Sequence, residues 1–215
     1  VSATASHQAT TGLPFSPIIP SAMAKEMLKT TIWRTSPSAI ARSTDVMVEG
    51  ARYESSVQLA GERLVLNGVG VRKRFVFDIY AGGLYVPQRA ARTEDLVGQP
   101  GPKRVALRFL RDVDGELFVT SLHNGLKANH SEVELAKWKA QVDMLTRTIQ
   151  TIALARRGDA VNFEYTPQDG TRVTVNGVTR GPLIPGADFY AAVLRVWLGE
   201  TPADAELKKG MLGAG

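Results

Sequence analysis

The chain has no cysteine. Disulfide frameworks, thiolate metal sites, CxxC redox chemistry and a cysteine nucleophile are excluded together. Histidine is nearly as scarce. His7, His123 and His130 are the full set, scattered and without an HExxH pattern, so no metal site is expected. GxSxG and Walker A patterns are absent, which removes the usual signatures of a serine hydrolase and a P-loop nucleotide site. No cofactor is expected. No apolar run approaches the roughly 20 residues that a membrane-crossing helix needs, so the chain is not expected to be transmembrane. Ile18, Ile19, Met23, Met27 and Leu28 are interrupted by Pro20, Lys25, Glu26 and Lys29. A secretory signal would instead show an unbroken apolar stretch of roughly 7–15 residues. The charge excess is small, 26 Lys+Arg against 21 Asp+Glu. Its densest clusters, Arg72-Lys73-Arg74, Lys103-Arg104, Arg156-Arg157 and Lys208-Lys209, come with no zinc-finger spacing or RNP motif. Nucleic acid is therefore not an expected partner.

What remains is an ordinary globular composition: 215 residues, 44% hydrophobic and 22% charged. That is enough apolar content for a real core in one domain of moderate size. Residues 1–47 stand apart. They are rich in Ser, Thr, Ala and Pro, lack a strong period, and read as an irregular tail with a short helix at most, from Ala22 to Trp33. The patterned domain runs over 48–213.

Its first half reads as strands. Tyr53, Val57 and Leu59 lead to Gly61, and Arg63 to Leu66 follow. Asn67-Gly68-Val69-Gly70 reads as a turn, and Val71 to Val86 is rich in β-branched and aromatic residues. Gly82-Gly83 inside that run marks a bulge or a close backbone approach. Val105, Leu107 and Phe109 alternate in another strand.

Helices come next. Leu117, Phe118, Leu122 and Leu126 mark the first. Ser131 and Glu134 form a capping box for the second. Leu135, Trp138, Val142, Leu145, Ile149 and Ile152 then give one continuous apolar stripe, with Arg156-Arg157 in its last turn and Gly158 as its stop. A hairpin follows, with Val161, Phe163 and Tyr165 going out, a turn at 167–170, and Arg172 to Val175 returning. Asn176-Gly177 turns again. A helix from Ala187 carries Phe189, Ala192, Val193, Val196 and Trp197, and a short helix spans about Ala203 to Lys209. Strands do not alternate regularly with helices. The expected class is therefore α+β, an antiparallel sheet with helices on one face.

Taken as residues alone, the polar groups have plain explanations. Asp112, Asp114 and Glu116 suit the start of a helix. His123 and His130 read as solvent or interface positions. Arg72 reads as a surface arginine in a basic turn, with Tyr80 and Tyr85 further along.

Two segments carry more. Asn67-Gly-Val-Gly-Val-Arg72-Lys73, followed by Asp78-Ile-Tyr80-Ala-Gly-Gly-Leu-Tyr85-Val86, resembles the chalcone isomerase-like family, in particular its bacterial branch. Phe109-Leu-Arg111-Asp112-Val113, Asp188-Phe189-Tyr190 and Trp197-Leu-Gly-Glu200 fit the same family. The resemblance covers about Val48 to Gly213. It implies an open-faced β-sandwich, in which a large antiparallel sheet carries a layer of helices. Members include true isomerases, fatty-acid-binding proteins and non-catalytic relatives. Bacterial members are typically exported, which points to the periplasm, although the chain shows no signal peptide.

The resemblance also assigns residues. Arg72 matches a cleft arginine that orients the substrate in the enzymes and pairs with the lipid carboxylate in the fatty-acid binders. Tyr80 stands where the enzymes carry threonine and the fatty-acid binders tyrosine. The enzymes' helix tyrosine falls at Leu117 or Phe118, neither with a hydroxyl, and their asparagine falls near Asn124. The expected function is non-catalytic binding of a fatty acid or similar amphipathic carboxylate between sheet and helices, with Phe118, Leu122, Phe189 and Val193 as apolar lining. The alternatives are a cofactor-free intramolecular lyase acting on an enone, using Arg72 and Tyr80, and a structural or partner-binding protein with a degenerate cleft. Arg72 and Tyr80 can share a ligand only if the chain turns between them, which places a turn at Lys73-Arg74.

Overall fold

The computed structural model describes residues 45–214. The tail through residue 44 and the short helix expected at Ala22–Trp33 lie outside the described residues. The chain opens with a small hairpin, β1 (Val46–Val48) and β2 (Ala51–Tyr53), turning at Glu49-Gly50. Then come β3 (Ser56–Leu59), β4 (Glu62–Arg74), β5 (Phe77–Val86), α1 (Thr93–Gly98), β6 (Lys103–Phe109) and β7 (Val113–Asp114). The helices α2 (Gly115–Asn129), α3 (Glu132–Lys137) and α4 (Lys139–Gln150) precede β8 (Leu154–Ala155). The chain ends with β9 (Ala160–Thr166), β10 (Gly170–Val175), β11 (Val178–Ile184), α5 (Ala187–Leu198) and α6 (Ala205–Met211).

Seven strands form one antiparallel sheet in the order β11-β10-β9-β6-β5-β4-β3. The period of two decides its faces. Val105, Leu107 and Phe109 of β6, and Val161 and Phe163 of β9, point to the helices and are buried with Phe118, Leu122, Ile149, Phe189 and Trp197. The opposite face carries a smaller apolar cluster around Tyr53, Leu64, Leu66, Ala81 and Tyr85. Beside it Glu164 accepts from both Arg104 (2.8 Å) and Arg172 (2.9 Å). This is the α+β sheet-and-helix architecture expected from the sequence.

Two local expectations differ from the structure. Asn67–Gly70 is not a turn but lies inside β4. Its glycines serve close packing: a Cβ on Gly70 would sit 2.5 Å from the Leu207 carbonyl oxygen, and one on Gly68 would collide with the Gly210 carbonyl. Strand β4 and helix α6 therefore meet backbone to backbone. Asn67 ties them further, donating to the Met211 carbonyl at 2.8 Å.

The continuous stripe beyond the capping box is also interrupted. The box itself forms at Ser131 and Glu134, but the helix breaks at Trp138 (φ −100, ψ 13) and α4 ends at Gln150. The Trp138 indole donates to Asp188 at 2.9 Å, a tertiary contact that holds the break. Past Gln150 the backbone extends so that Ala155 pairs with Val113 and Gly115 donates to the Ala153 carbonyl at 3.0 Å. Arg156-Arg157 therefore cap nothing, and Gly158 (φ 92) turns a loop into β9. The strand after Asn176-Gly177, β11, has no counterpart in the sequence pattern, because its residues are almost all exposed and give no buried period to read.

Candidate functional site

The site is built on the hairpin of β4 and β5. The loop has two residues, Phe75 and Val76, so the turn lies two positions beyond the expected Lys73-Arg74. This registry makes Arg72 and Tyr80 direct cross-strand partners. The eight-residue separation that would hold them far apart in a straight strand is thereby removed. Both side chains lie on the helix-facing side, and the Arg72 guanidinium sits 5.6 Å from the Tyr80 ring centroid.

Tyr80 is 2% exposed. Its hydroxyl oxygen accepts from the Trp197 indole N–H at 3.0 Å. Among the described residues the phenolic hydrogen has no acceptor. Burial pushes the phenol above its usual value, while the Arg72 charge and the Trp197 hydrogen bond pull against that shift. The group stays a neutral donor at physiological pH. The Tyr80 ring meets Phe109 edge-on at 5.8 Å, Phe109 meets Phe118 at 5.6 Å, and Phe118 meets Phe163 at 6.2 Å. These edge contacts fix the wall beside the phenol.

A cleft of about 280 Å³ opens here, lined by Arg72, Tyr80, Phe109, Arg111, Leu117 and Phe118 among others. Arg74 also reaches it. Among the described residues Arg72, Arg74 and Arg111 make no ion pair, whereas Arg111 stacks over Phe77 at 4.2 Å. The carboxylates at the rim have structural partners: Asp112 accepts from the Arg157 backbone N–H, and Asp114 caps α2 by accepting from the Glu116 N–H, both at 2.8 Å. Two larger hollows, of about 420 and 530 Å³, lie beside Asp188 and Arg195 and beside Arg52 and Arg108. There Asp188 pairs with Lys137, Arg195 with Glu94, and Arg52 with Asp45. Neither combines a buried donor with free cations and an aromatic wall.

Of the residues expected at the site, the structure brings Arg72, Tyr80 and Phe118 to one cleft. Leu122, Phe189 and Val193 lie deeper, in the packed core, and do not line it. Asn124 is exposed on α2. Leu117 and Phe118 both reach the cleft and neither brings a hydroxyl. His123 and His130 are only partly buried and hydrogen-bond Thr146 and the Ala192 carbonyl. Sequence reasoning missed Trp197 as the partner of Tyr80, since 117 residues separate them. It also missed Phe109, Arg74 and Arg111 as lining. The cluster Arg72-Lys73-Arg74 was the one available signal for Arg74.

Residues 45–213 match the sequence profile described as chalcone isomerase-like. The chain belongs to the chalcone isomerase-like family. No curated protein matches it in sequence. Among solved structures, this chalcone isomerase-like chain is similar to a fatty-acid binding protein of Arabidopsis thaliana, with 17% identity and a TM-score of 0.61. The match covers 79% of this chain and 96% of the plant protein. At that identity the likeness is one of fold, and the shared fold is the sheet with its single layer of helices.

Proposed function

We propose that this chalcone isomerase-like protein binds a fatty acid or similar amphipathic carboxylate without catalysis, with Arg72 as the anion anchor and Tyr80 as its hydrogen-bond donor. One observation carries the reading. A buried phenol with a proton to give lies across the strand pair from a guanidinium that has no ion-pair partner among the described residues. A carboxylate satisfies both at once. It accepts paired N–H bonds from the planar guanidinium and the O–H bond from Tyr80, whose donor is costly to leave buried and unmade. The polar end of the ligand sits at Arg72, and its first methylenes lie along Phe109, Leu117 and Phe118. Each buried CH₂ contributes about 0.8 kcal/mol. The cleft is at the small end of ligand pockets, which run from about 300 Å³ upward. It suits a headgroup and the start of a chain. A longer chain extends through the open mouth or inward toward Leu122, Phe189 and Val193. The resemblance in fold to a fatty-acid binding protein supports the same reading.

The test is calorimetric titration of the purified chain with lauric and palmitic acids, alongside native mass spectrometry. Stoichiometric binding is expected, with affinity about 10- to 100-fold lower in Arg72→Ala, the range for a hydrogen bond to a charged group. No binding, or full affinity in the variant, overturns the proposal. Turnover of a chalcone that depends on Arg72 overturns its non-catalytic part.

A further inference from the structure

The loop of the β4–β5 hairpin breaks a rule of hairpin turns. Phe75, its first central residue, has a φ of 56°. In a two-residue loop this is the position where a type II′ turn calls for glycine. A phenylalanine there is strained, and nothing in the fold rewards it: Phe75 is 89% exposed, Val76 87% and Phe77 51%. Three consecutive apolar side chains thus form a convex tip. A basic collar surrounds them. Lys73 and Arg74 flank the loop and Arg111 lies over the Phe77 ring, while Asp78, paired with Lys73 at 3.2 Å, is the one carboxylate in the loop half of the hairpin, Val69 to Gly82. Asp112 and Asp114, across the cleft, are engaged by backbone N–H groups.

From these features we infer that the tip is a membrane-docking wedge that inserts Phe75 and Val76 into the interface of an anionic bilayer while Arg74, Lys73 and Arg111 face the lipid headgroups. An exposed apolar edge next to clustered basic residues is the pattern of interfacial membrane binding. The same collar disfavours a second copy of the chain, which would bring like charges together. The docking stands apart from the ligand proposed above. If both hold, the cleft opens at the membrane surface, because Arg72 and Arg74 on the hairpin stem line it.

The test is co-sedimentation of the full chain with vesicles of phosphatidylglycerol and phosphatidylcholine in equal parts, and with phosphatidylcholine alone. Association with the anionic vesicles is expected, weakening as salt is raised and clearly weaker on the neutral ones. Arg74→Glu is expected to lower partitioning by more than about fivefold, the scale of one basic residue at an anionic surface. The decisive variant is Phe75→Gly with Val76→Ser. Glycine relieves the turn, so thermal stability holds or rises, while vesicle partitioning falls at least about tenfold with the loss of the buried methylenes. No association of the unaltered chain with anionic vesicles at low salt overturns the inference. So does a folded double variant that binds as well as the unaltered chain. A dimer or protein complex that depends on the tip, with no vesicle binding, also overturns it.

Discussion

Replacing Tyr80 by phenylalanine separates the two jobs assigned to its hydroxyl. The ring contacts to Phe109 remain, so only the oxygen and its proton are removed. The Trp197 indole N–H, donated over 3.0 Å to that oxygen, is then left buried without an acceptor. An unsatisfied buried donor costs about 1–3 kcal/mol. Part of this is recovered, because the phenol's own unmatched proton leaves as well. The expected net loss is about 1–2 kcal/mol, which lowers Tm by roughly 2–8 °C in a domain of this size. Urea denaturation of Tyr80→Phe, Trp197→Phe and the double variant isolates the pair, since the cavity left by Trp197→Phe is common to both backgrounds. A coupling of about 1 kcal/mol or more is expected. Fatty-acid affinity in Tyr80→Phe is expected to fall about 10-fold or more, through the lost bond to a charged acceptor. A coupling below about 0.3 kcal/mol, within ordinary additivity, would refute the buried hydrogen bond. Unchanged affinity would refute the phenol's role as donor.

The remaining expectations concern packing and pH. Gly70→Ala forces a methyl to within 2.7 Å of the Leu207 Cα and should cost about 2–3 kcal/mol in chemical denaturation. Gly98→Ala, with open space at the end of α1, should be neutral or gain up to about 1 kcal/mol. Asp188 is held at about 2 by hydrogen bonds from Lys137 and Trp138. A lowered carboxyl value stabilises the fold above the ordinary aspartate range, and that contribution is lost as pH falls from about 4 toward 2. Because the side chain is half exposed, the effect is under about 1 kcal/mol. Asp188→Asn should flatten Tm against pH in that window, and a profile that stays parallel to the unaltered chain would contradict the assignment.

Some features were legible in the chain because the signal was local. The alternation of Val161, Phe163 and Tyr165 set a strand and its face, the capping box at Ser131 and Glu134 set a helix start, and Asn176-Gly177 set a turn. Arg72 and Tyr80 were singled out through the family resemblance, not through their spacing. Where the sequence reading failed, a distant partner had decided the outcome. Gly68 and Gly70 read as a turn because glycine is permissive. Only the arrival of α6, about 140 residues later, shows that they are there to admit a helix backbone. The stripe from Leu135 to Ile152 has a perfect helical period, yet Asp188 holds Trp138 at a break and β7 draws the end into a strand.

The sequence by itself determined the class of the fold, the absence of thiol chemistry and the candidacy of one arginine and one tyrosine. The first two follow from composition and periodicity, which depend on neighbours in the chain, and the last from the family resemblance of the segments that hold these residues. Tertiary structure alone decided that Phe75-Val76 is the turn, that Arg72 therefore faces Tyr80, and that Trp197 donates to the phenol oxygen, whose proton has no acceptor among the described residues. The physical reason is that strand register and buried hydrogen bonds are set by which surfaces pack together, and packing joins residues that no local pattern connects.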